Sequence, residues 1–290
     1  MRTSAGIARM RHLSQAFDLT PAALYKAASA TEKAPRRARK PPPTWISNQR
    51  LLAEIETITN EHRALGHRKV WALLRRRKTL VARRRVWKLM HEAKLTFEPS
   101  ARCYEPQRGT VAVEEPNRRW STDMTTVWTR KEGWIAVTPV TDNGCRCVLE
   151  IGVSKWQDAP TILAPVERAL RGAFGGACAI PEELELRTDH GSVYTGSDCE
   201  HLCKQWGVAQ TFAPVGRPTG NAVAERVIQT MKIEMLWLQD WEDADEVRAA
   251  LETWRVWYNT QRPHESLNWQ TPAERRAERL GSKAGLALAA

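Results

Sequence analysis

The sequence lacks any apolar run of 18 residues and any secretory signal segment, so no membrane-spanning helix is expected. The six cysteines form no C-x-x-C pair and no His/Cys set with zinc-finger spacing. No Ser, Tyr or Cys lies in a convincing nucleophilic arrangement, so no covalent enzyme intermediate is expected. We expect buried or incidental thiols in a reducing cytosol, at Cys103, Cys145, Cys147, Cys178, Cys199 and Cys203.

Positive charge is concentrated in the front part of the chain. Residues 1–119 hold 26 Lys and Arg against 10 Asp and Glu, whereas residues 120–290 hold 18 against 23. The 290-residue chain carries a net charge of +11, and its 42% hydrophobic content is enough for packed cores. This asymmetry indicates a nucleic-acid-binding arm joined to a catalytic body. The alternative is a solvated charged surface without a partner.

The basic part is predicted to form two helical units. Residues 1–33 have helix-turn-helix spacing, with Thr20 as N-cap and Pro21 in the first helical position. Residues 34–44 are typical of a stiff basic linker rich in proline. Residues 45–95 are predicted to be a second helix-turn-helix module, followed by a connector over residues 96–118. Cations on the polar faces of the second module suit DNA, and the predicted contacts are Arg68, Lys69, Arg83, Arg84, Arg85 and Lys88.

From residue 119 onward the pattern predicts an α/β domain that extends to residue 280, followed by a tail of residues 281–290. Apolar runs rich in β-branched residues predict five strands, at residues 119–125, 135–140, 147–153, 184–189 and 209–213. Helical periodicity predicts four helices, at residues 160–170, 197–206, 221–238 and 244–258. This element order is that of an RNase H-like fold with a mixed five-stranded sheet.

Three carboxylates have contexts that would direct them toward one point. Asp123 lies in the first predicted strand, Asp189 ends the fourth, and Glu225 lies one turn into the helix that begins near residue 221. Such a set of hard oxygen ligands suits Mg²⁺ or Mn²⁺. Two ions would serve phosphodiester chemistry, with Asp123 as the bridging ligand and the other two acids each holding one ion.

The helix of Glu225 carries two further candidates. Gln229 and Lys232 follow four and seven residues after Glu225 and share its face. A donor and a cation beside a metal ligand could hold a DNA strand end. The alternative is that three acids in a chain with 33 are a chance set.

Several motifs of the chain are similar to those of one known family. They comprise residues 66–74 with residues 84–90, residues 120–123, residues 188–192, residues 220–225 with Lys232 and Glu234, and residues 258–264 with Leu267. The chain resembles the DDE transposases of insertion sequences, of the type made from the second reading frame (OrfB), whose catalytic core is retroviral-integrase-like. The resemblance covers nearly the whole chain, although His190 and Arg226 replace the more usual Asn and Ser.

The resemblance implies a bacterial, nucleoid-associated DNA transposase. Such an enzyme binds terminal inverted repeats, frees a 3′-OH and joins it to target DNA with two metal ions at Asp123, Asp189 and Glu225. It implies a homo-oligomer on DNA and a partnership or frameshift fusion with the upstream-frame product. The zinc module of retroviral integrases is missing, as expected for this branch. Residues 262–264 are interpreted as structural more than catalytic. Two alternatives stay open, a non-catalytic DNA-binding regulator derived from a transposase and a structure-selective RNase H-like nuclease.

Overall fold

The computed structural model describes residues 46–96, 113–181, 183–214 and 221–281. The predicted first helix-turn-helix, the basic linker, most of the connector and nearly all of the tail lie outside these ranges. Within these ranges, no helix has the length and apolar character needed to cross a membrane.

Three helices form the second predicted module: α1 (Asn48–Glu61), α2 (His67–Arg76) and α3 (Arg83–Glu92). Ser47 caps α1, because its Oγ accepts a hydrogen bond from Arg50 N at 3.2 Å. The apolar positions of the three helices face inward and are fully buried, at Leu51, Ile55, Ile58, Val70, Leu74, Val86 and Met90. Amphipathic periodicity in the sequence therefore accounts for the packing of this module.

A mixed sheet forms the centre of the remainder of the chain. Its strands are β1 (Arg119–Thr122), β2 (Thr125–Thr129), β3 (Gly133–Asp142), β4 (Val148–Ser154), β5 (Glu185–Thr188) and β6 (Ala209–Phe212). β1 and β2 pair with one edge of β3 and β4 pairs with the other edge, while β5 pairs with β1 and β6 with β5. β5 runs parallel to β1 and to β6, whereas β3 is antiparallel to its neighbours.

The first predicted strand is interrupted, which corrects the prediction of one continuous strand over residues 119–125. Thr122 pairs with Val140 and Thr125 with Val137, so β1 and β2 keep one register along β3. The break falls at Asp123 and Met124, where the side chain of Asp123 accepts the Met124 N–H at 2.8 Å. This local hydrogen bond replaces a sheet contact. With this break the sheet has six strands, of which β1 and β2 take the place of the first predicted strand and β2 extends beyond it to Thr129.

Helices cover both faces of the sheet. They are α4 (Ala159–Phe174), α5 (Ser192–Thr195), α6 (Ser197–Trp206), α7 (Ala222–Met231), α8 (Ala244–Thr260) and α9 (Pro272–Leu280). Ala136 faces the cluster under α4 and α6, whereas Ile135 and Val137 face the cluster under α7 and α8. Side chains alternate between the two faces because the strand repeat is two residues.

The helix predicted over residues 221–238 is shorter than expected. α7 ends at Met231, and a π-helical turn over Lys232–Leu236 follows it. In this wider turn Glu234 forms ion pairs with Arg262 and Lys69, which belong to other elements. Tertiary ion pairing therefore accompanies the change in helix type, and π turns frequently occur at functional sites.

The three-helix module shares a hydrophobic core with the sheet domain. Residues of α1 to α3 belong to the same buried cluster as Val127, Val227 and Trp254. His62 stacks on Trp257 with ring centroids 4.1 Å apart. The module is thus packed against the sheet domain and is not held by surface charges alone.

The final helix is fixed by its cap and by one buried ion pair. Thr271 and Glu274 form a capping box at the start of α9, and Pro272 occupies its first helical position. Arg276 Nη1 lies 2.7 Å from Asp142 Oδ2, and neither side chain is accessible to solvent. This pair attaches the end of the chain to the end of β3.

Candidate active site

Asp123 and Asp189 lie side by side at the carboxyl ends of neighbouring strands. In the parallel pairing of β1 with β5, Arg119 is opposite Glu185 and Ser121 is opposite Arg187. The same offset, continued by two residues, brings Asp123 level with Asp189. Neighbouring strands are separated by about 4.8 Å, so the sheet itself positions these two carboxylates as a pair.

Local turns orient the two carboxylates. Asp189 Oδ1 accepts the Gly191 N–H at 2.9 Å, the pattern of a turn in which an aspartate bonds its own backbone two residues on. A Cβ added to Gly191 would lie 3.0 Å from Asp189 Oδ1. Glycine at this position therefore leaves room for the carboxylate.

Glu225 lies on the first turn of α7 and is exposed. The start of this helix is attached to the aspartate pair through Asn221, which is buried. Asn221 Nδ2 donates to the carbonyl oxygen of Thr122 at 3.0 Å, one residue before Asp123. This hydrogen bond brings the helix of the third acid to the end of the strand that carries the first.

The pKa of Asp123 reflects its burial and the presence of the two other acids. Burial raises the pKa of Asp123 from its ordinary value of 3.8 to about 6, and the negative charges of Asp189 and Glu225 add to the rise. The Met124 N–H and the Lys232 ammonium oppose it. Asp189 and Glu225 therefore both repel the ionised form of Asp123, and a shared cation would relieve this repulsion.

This raised pKa predicts how the stability of the cation-free protein depends on pH. The folded state holds the Asp123 proton up to about pH 6, whereas the unfolded chain releases it near 3.8. The free energy of unfolding should therefore fall as pH rises through this window and stay lowered above it. Melting temperatures in EDTA from pH 3.5 to 7.5 should show this fall in the wild type and a smaller fall in Asp123→Asn. Parallel curves for the two proteins would contradict the assignment.

The three acids fit a divalent metal by donor chemistry, since carboxylate oxygens are the ligands that Mg²⁺ and Mn²⁺ prefer. In the part of the chain that the structure describes, no group of three or more His, Cys, Asp or Glu side chains is arranged to hold a metal ion. The sheet pairs Asp123 with Asp189, and the exposed Glu225 extends from the neighbouring helix. Joint coordination by all three stays a prediction.

The predicted DNA contacts have different surroundings. Arg83, Arg84 and Lys88 are exposed on α3. Arg85 instead donates to Asn48 Oδ1 at 2.7 Å and to the carbonyl oxygen of Ile46, so it also fastens α3 to α1. Arg68 and Lys69 lie in the first turn of α2. Arg68 is exposed and lies 3.2 Å from Glu265, whereas the half-buried Lys69 lies 3.2 Å from Glu234.

Gln229 lies on α7, one turn after Glu225, whereas Lys232 begins the π turn that follows this helix. Gln229 accepts a hydrogen bond from Arg226, one of the two residues that depart from the family pattern, at 3.0 Å. The other departure, His190, is exposed and stacks on Phe212 with ring centroids 5.2 Å apart. Both departures thus lie beside the candidate site without replacing any of its acids.

Two residues near the acids were not predicted as part of the site. Asn221 precedes a helix as a typical N-cap residue, and that signal predicts a cap more readily than its contact with Thr122. Tyr194 is buried, and burial raises its pKa, with the charges of Asp123 and Asp189 adding to the effect. Asp189 precedes Tyr194 by only five residues, but nothing in the local sequence indicates that Tyr194 also lies near Asp123.

A buried ion cluster supports the π turn. Arg262 donates three hydrogen bonds to Glu234, of 2.7, 2.8 and 3.2 Å. Lys69 Nζ lies 3.2 Å from the same carboxylate. The side chains of Arg262 and Glu234 are each 6% exposed. These contacts agree with the structural interpretation of residues 262–264.

The strand order and the helices on both faces of the sheet define an RNase H-like fold. Residues 113–218 and residues 206–272 match two families that are both described as "Integrase core domain". Residues 47–99 match the family described as "HTH-like domain".

Relatives of this chain come from insertion elements. A 31.7 kDa uncharacterized protein of insertion element IS407 from Burkholderia multivorans is 27% identical over 234 residues, which are 78% of this chain and 80% of that protein. Transposase InsD of insertion element IS2 from Escherichia coli is 27% identical over 241 residues, 77% of each chain. The catalytic core of BIV integrase is 23% identical over 56% of this chain and 95% of that core, with a TM-score of 0.43. By these matches the chain combines an HTH-like domain with an integrase core domain, and it is similar to proteins of insertion elements, transposase InsD among them.

Proposed function

We propose that this protein is a DNA transposase that binds the terminal inverted repeats of its element, cleaves a strand to free a 3′-OH and joins that hydroxyl to target DNA. One observation carries the proposal: the parallel pairing of β1 with β5 brings Asp123 level with Asp189, and Asn221 attaches the helix of Glu225 to the same strand end. Transposases of this family act on DNA, so the site of action is expected to be the bacterial nucleoid.

Asp123, Asp189 and Glu225 would hold Mg²⁺ or Mn²⁺, and two ions would activate the attacking oxygen and neutralise the leaving oxygen. The chain's own residues supply the rest. Asn221 keeps the helix of Glu225 against the end of β1. Lys232 lowers the pKa of Asp123 and so favours its ionised form, which is the form that binds a cation. Gln229, exposed one turn after Glu225, is available to contact the strand end.

The direct test is a strand-transfer assay with duplexes that carry the element's ends. Joined products in Mg²⁺, absent in EDTA, support the proposal. Hydrolysis without joining would indicate a structure-selective nuclease, and end binding without either reaction would indicate a regulator. Two ends must be brought together for transposition, so active complexes are expected to contain more than one copy of the chain. Comparison of this chain with a frameshift fusion to the upstream-frame product would show which form is active.

The exposed cations of α3 predict a salt-dependent effect on DNA binding. Arg84→Ala should weaken binding to every duplex and lower the slope of log affinity against log salt by about 0.9, the value for one phosphate contact. Arg171 is a suitable control, because it is an exposed arginine on α4 that pairs with Glu167 at 2.7 Å. Fluorescence anisotropy between 50 and 200 mM salt measures the slopes for the wild type, for Arg84→Ala and for the control Arg171→Ala. Equal slopes for Arg84→Ala and the wild type would exclude a phosphate contact by this residue.

A further inference from the structure

An open groove of about 880 Å³ separates the start of α2 from the outer face of α7. One wall carries Gly66 and Lys69, the opposite wall carries Arg226 and Gln229, and Arg262 lies at its inner end. The HTH-like domain and the integrase core therefore contribute facing walls. Arg226 and Gln229 follow Glu225 by one and four residues, so the groove begins beside the candidate active site.

The groove has an excess of positive charge. Of the described residues that line it, four are Lys or Arg and two are Glu. Arg262 engages both carboxylate oxygens of Glu234, with hydrogen bonds of 2.8 and 2.7 Å. A bidentate arginine already neutralises that carboxylate. Lys69, at 3.2 Å from Glu234, is thus a second cation on one anion.

The neighbouring histidine does not offset this charge. Arg262 Nη1 lies 3.2 Å from His264 Nε2, and a guanidinium can only donate, so this nitrogen accepts and the imidazole is neutral. Burial, together with the charges of Arg262 and Lys69, lowers the pKa of His264 well below its ordinary value. Burial and the charge of Arg262 likewise lower the pKa of Lys69. His264 therefore adds no negative charge, and Arg262 and Lys69 share the single carboxylate of Glu234.

The start of α2 adds to the same potential. Its N-cap is Gly66, which provides no side-chain hydrogen bond to the first turn. The first N–H groups of a helix carry partial positive charge and favour anions. Here this helix end lines a groove that is already rich in cations. The start of α2 and the excess of positive charge in the groove both favour an anionic ligand.

We propose that this groove binds a phosphate group of the DNA backbone, with Lys69 as its principal side-chain contact, on the strand that leads to Asp123 and Asp189. The inference rests on the proposed function, because it takes DNA as the substrate. Arg262 and Glu234 hold Lys69 in position, and Arg226 with Gln229 forms the wall next to Glu225. The HTH-like domain thus contributes directly to the placement of the strand in the core.

Gly66 offers a test that changes charge at nearly constant shape. A Cβ at Gly66 would meet nothing within 4 Å, and its backbone is extended with φ −73. Asp and Asn are both good N-caps, so Gly66→Asp and Gly66→Asn should fold equally well. Gly66→Asp should bind a duplex of the element's end about tenfold more weakly than Gly66→Asn at 50 mM salt, and the gap should narrow at 200 mM. Equal affinities for the two variants would overturn the proposal.

Removal of the cation gives a second arm. Lys69→Met should lower the salt slope of DNA binding by about 0.9. Lys204→Met, on the exposed end of α6 where Lys204 pairs with Glu200, should leave it unchanged. An unchanged slope in a folded Lys69→Met protein also counts against the proposal. A wild type that binds no DNA would instead contradict the proposed function.

Inorganic phosphate distinguishes a DNA phosphate from a free anion. We expect Gly66→Asp to bind DNA more weakly than Gly66→Asn. This difference should be present whether or not millimolar inorganic phosphate raises the melting temperatures of the two variants. The opposite result would be equal DNA affinities together with a phosphate-induced rise in melting temperature that differs between the two variants. That result would assign the groove to a free anion and overturn the proposal.

Discussion

Asp123→Asn should abolish strand cleavage and strand joining while DNA binding is kept. The substitution keeps the shape of the side chain but removes the charge of the residue predicted to bridge two cations. The loss of several kcal/mol of transition-state stabilisation corresponds to a rate reduction of more than about 10³-fold. Single-turnover cleavage and joining in Mg²⁺ measure the effect, and anisotropy confirms binding.

Asp189→Asn and Glu225→Gln should behave in the same way, because each acid is predicted to complete the site of one ion. Asp198→Asn is a suitable control, since Asp198 lies exposed in the first turn of α6 and outside the candidate site. Retained Mg²⁺-dependent activity in any of the three site variants would remove that residue from the metal site.

Arg262→Met should destabilise the fold by about 3 kcal/mol. Removal of one partner from a buried ion pair typically costs about 3–5 kcal/mol, because the other charge is left without compensation. The lower end applies here, since Lys69 still lies 3.2 Å from the abandoned Glu234. For a domain of this size the melting temperature should fall by roughly 6–12 °C. Differential scanning calorimetry measures the change.

Arg68→Met is the matched control for Arg262→Met. Arg68 also pairs with a glutamate, but both side chains of that pair are 56% exposed. Exposed pairs contribute about 0–1 kcal/mol, so Arg68→Met should leave the melting temperature nearly unchanged. Equal effects of the two substitutions would show that burial of the Glu234–Arg262 pair does not matter for stability.

Strands and helices were predictable where the residue pattern matches one period. Val137 and Val140 lie in a run rich in β-branched residues, and β3 forms there with four residues more than predicted. Thr271 and Pro272 are typical of a helix start, and α9 begins at Pro272. Local propensity and tertiary packing agree at these positions, so the sequence was sufficient.

Tertiary contacts decided the elements that the pattern missed. Residues 119–125 have strand propensity throughout, yet the strand breaks at Asp123, whose carboxylate accepts a hydrogen bond from Met124 N. Helical periodicity continues past Met231, but Glu234 pairs with Arg262, which lies 28 residues farther along the chain. Such long-range partners have no signal within a local window.

In the candidate site, too, some residues were predictable from the sequence and others only from the fold. The placement of Asp123 in the first predicted strand and of Asp189 at the end of the fourth predicted that the two carboxylates point toward one site. The parallel register of β1 with β5 agrees with this expectation. The roles of Asn221 and Tyr194 depend on residues about 100 and 70 positions away, and only the fold reveals them.

Anomalous diffraction from crystals soaked in MnCl₂ tests the central claim most directly. We expect a Mn²⁺ peak with oxygen ligands from both Asp123 and Asp189, at about 2.0–2.2 Å, and a second peak shared by Asp123 and Glu225 when DNA is present. The same soak of Asp123→Asn should show neither peak. Mn²⁺ bound elsewhere, with these three carboxylates unliganded in the DNA complex, would contradict the account.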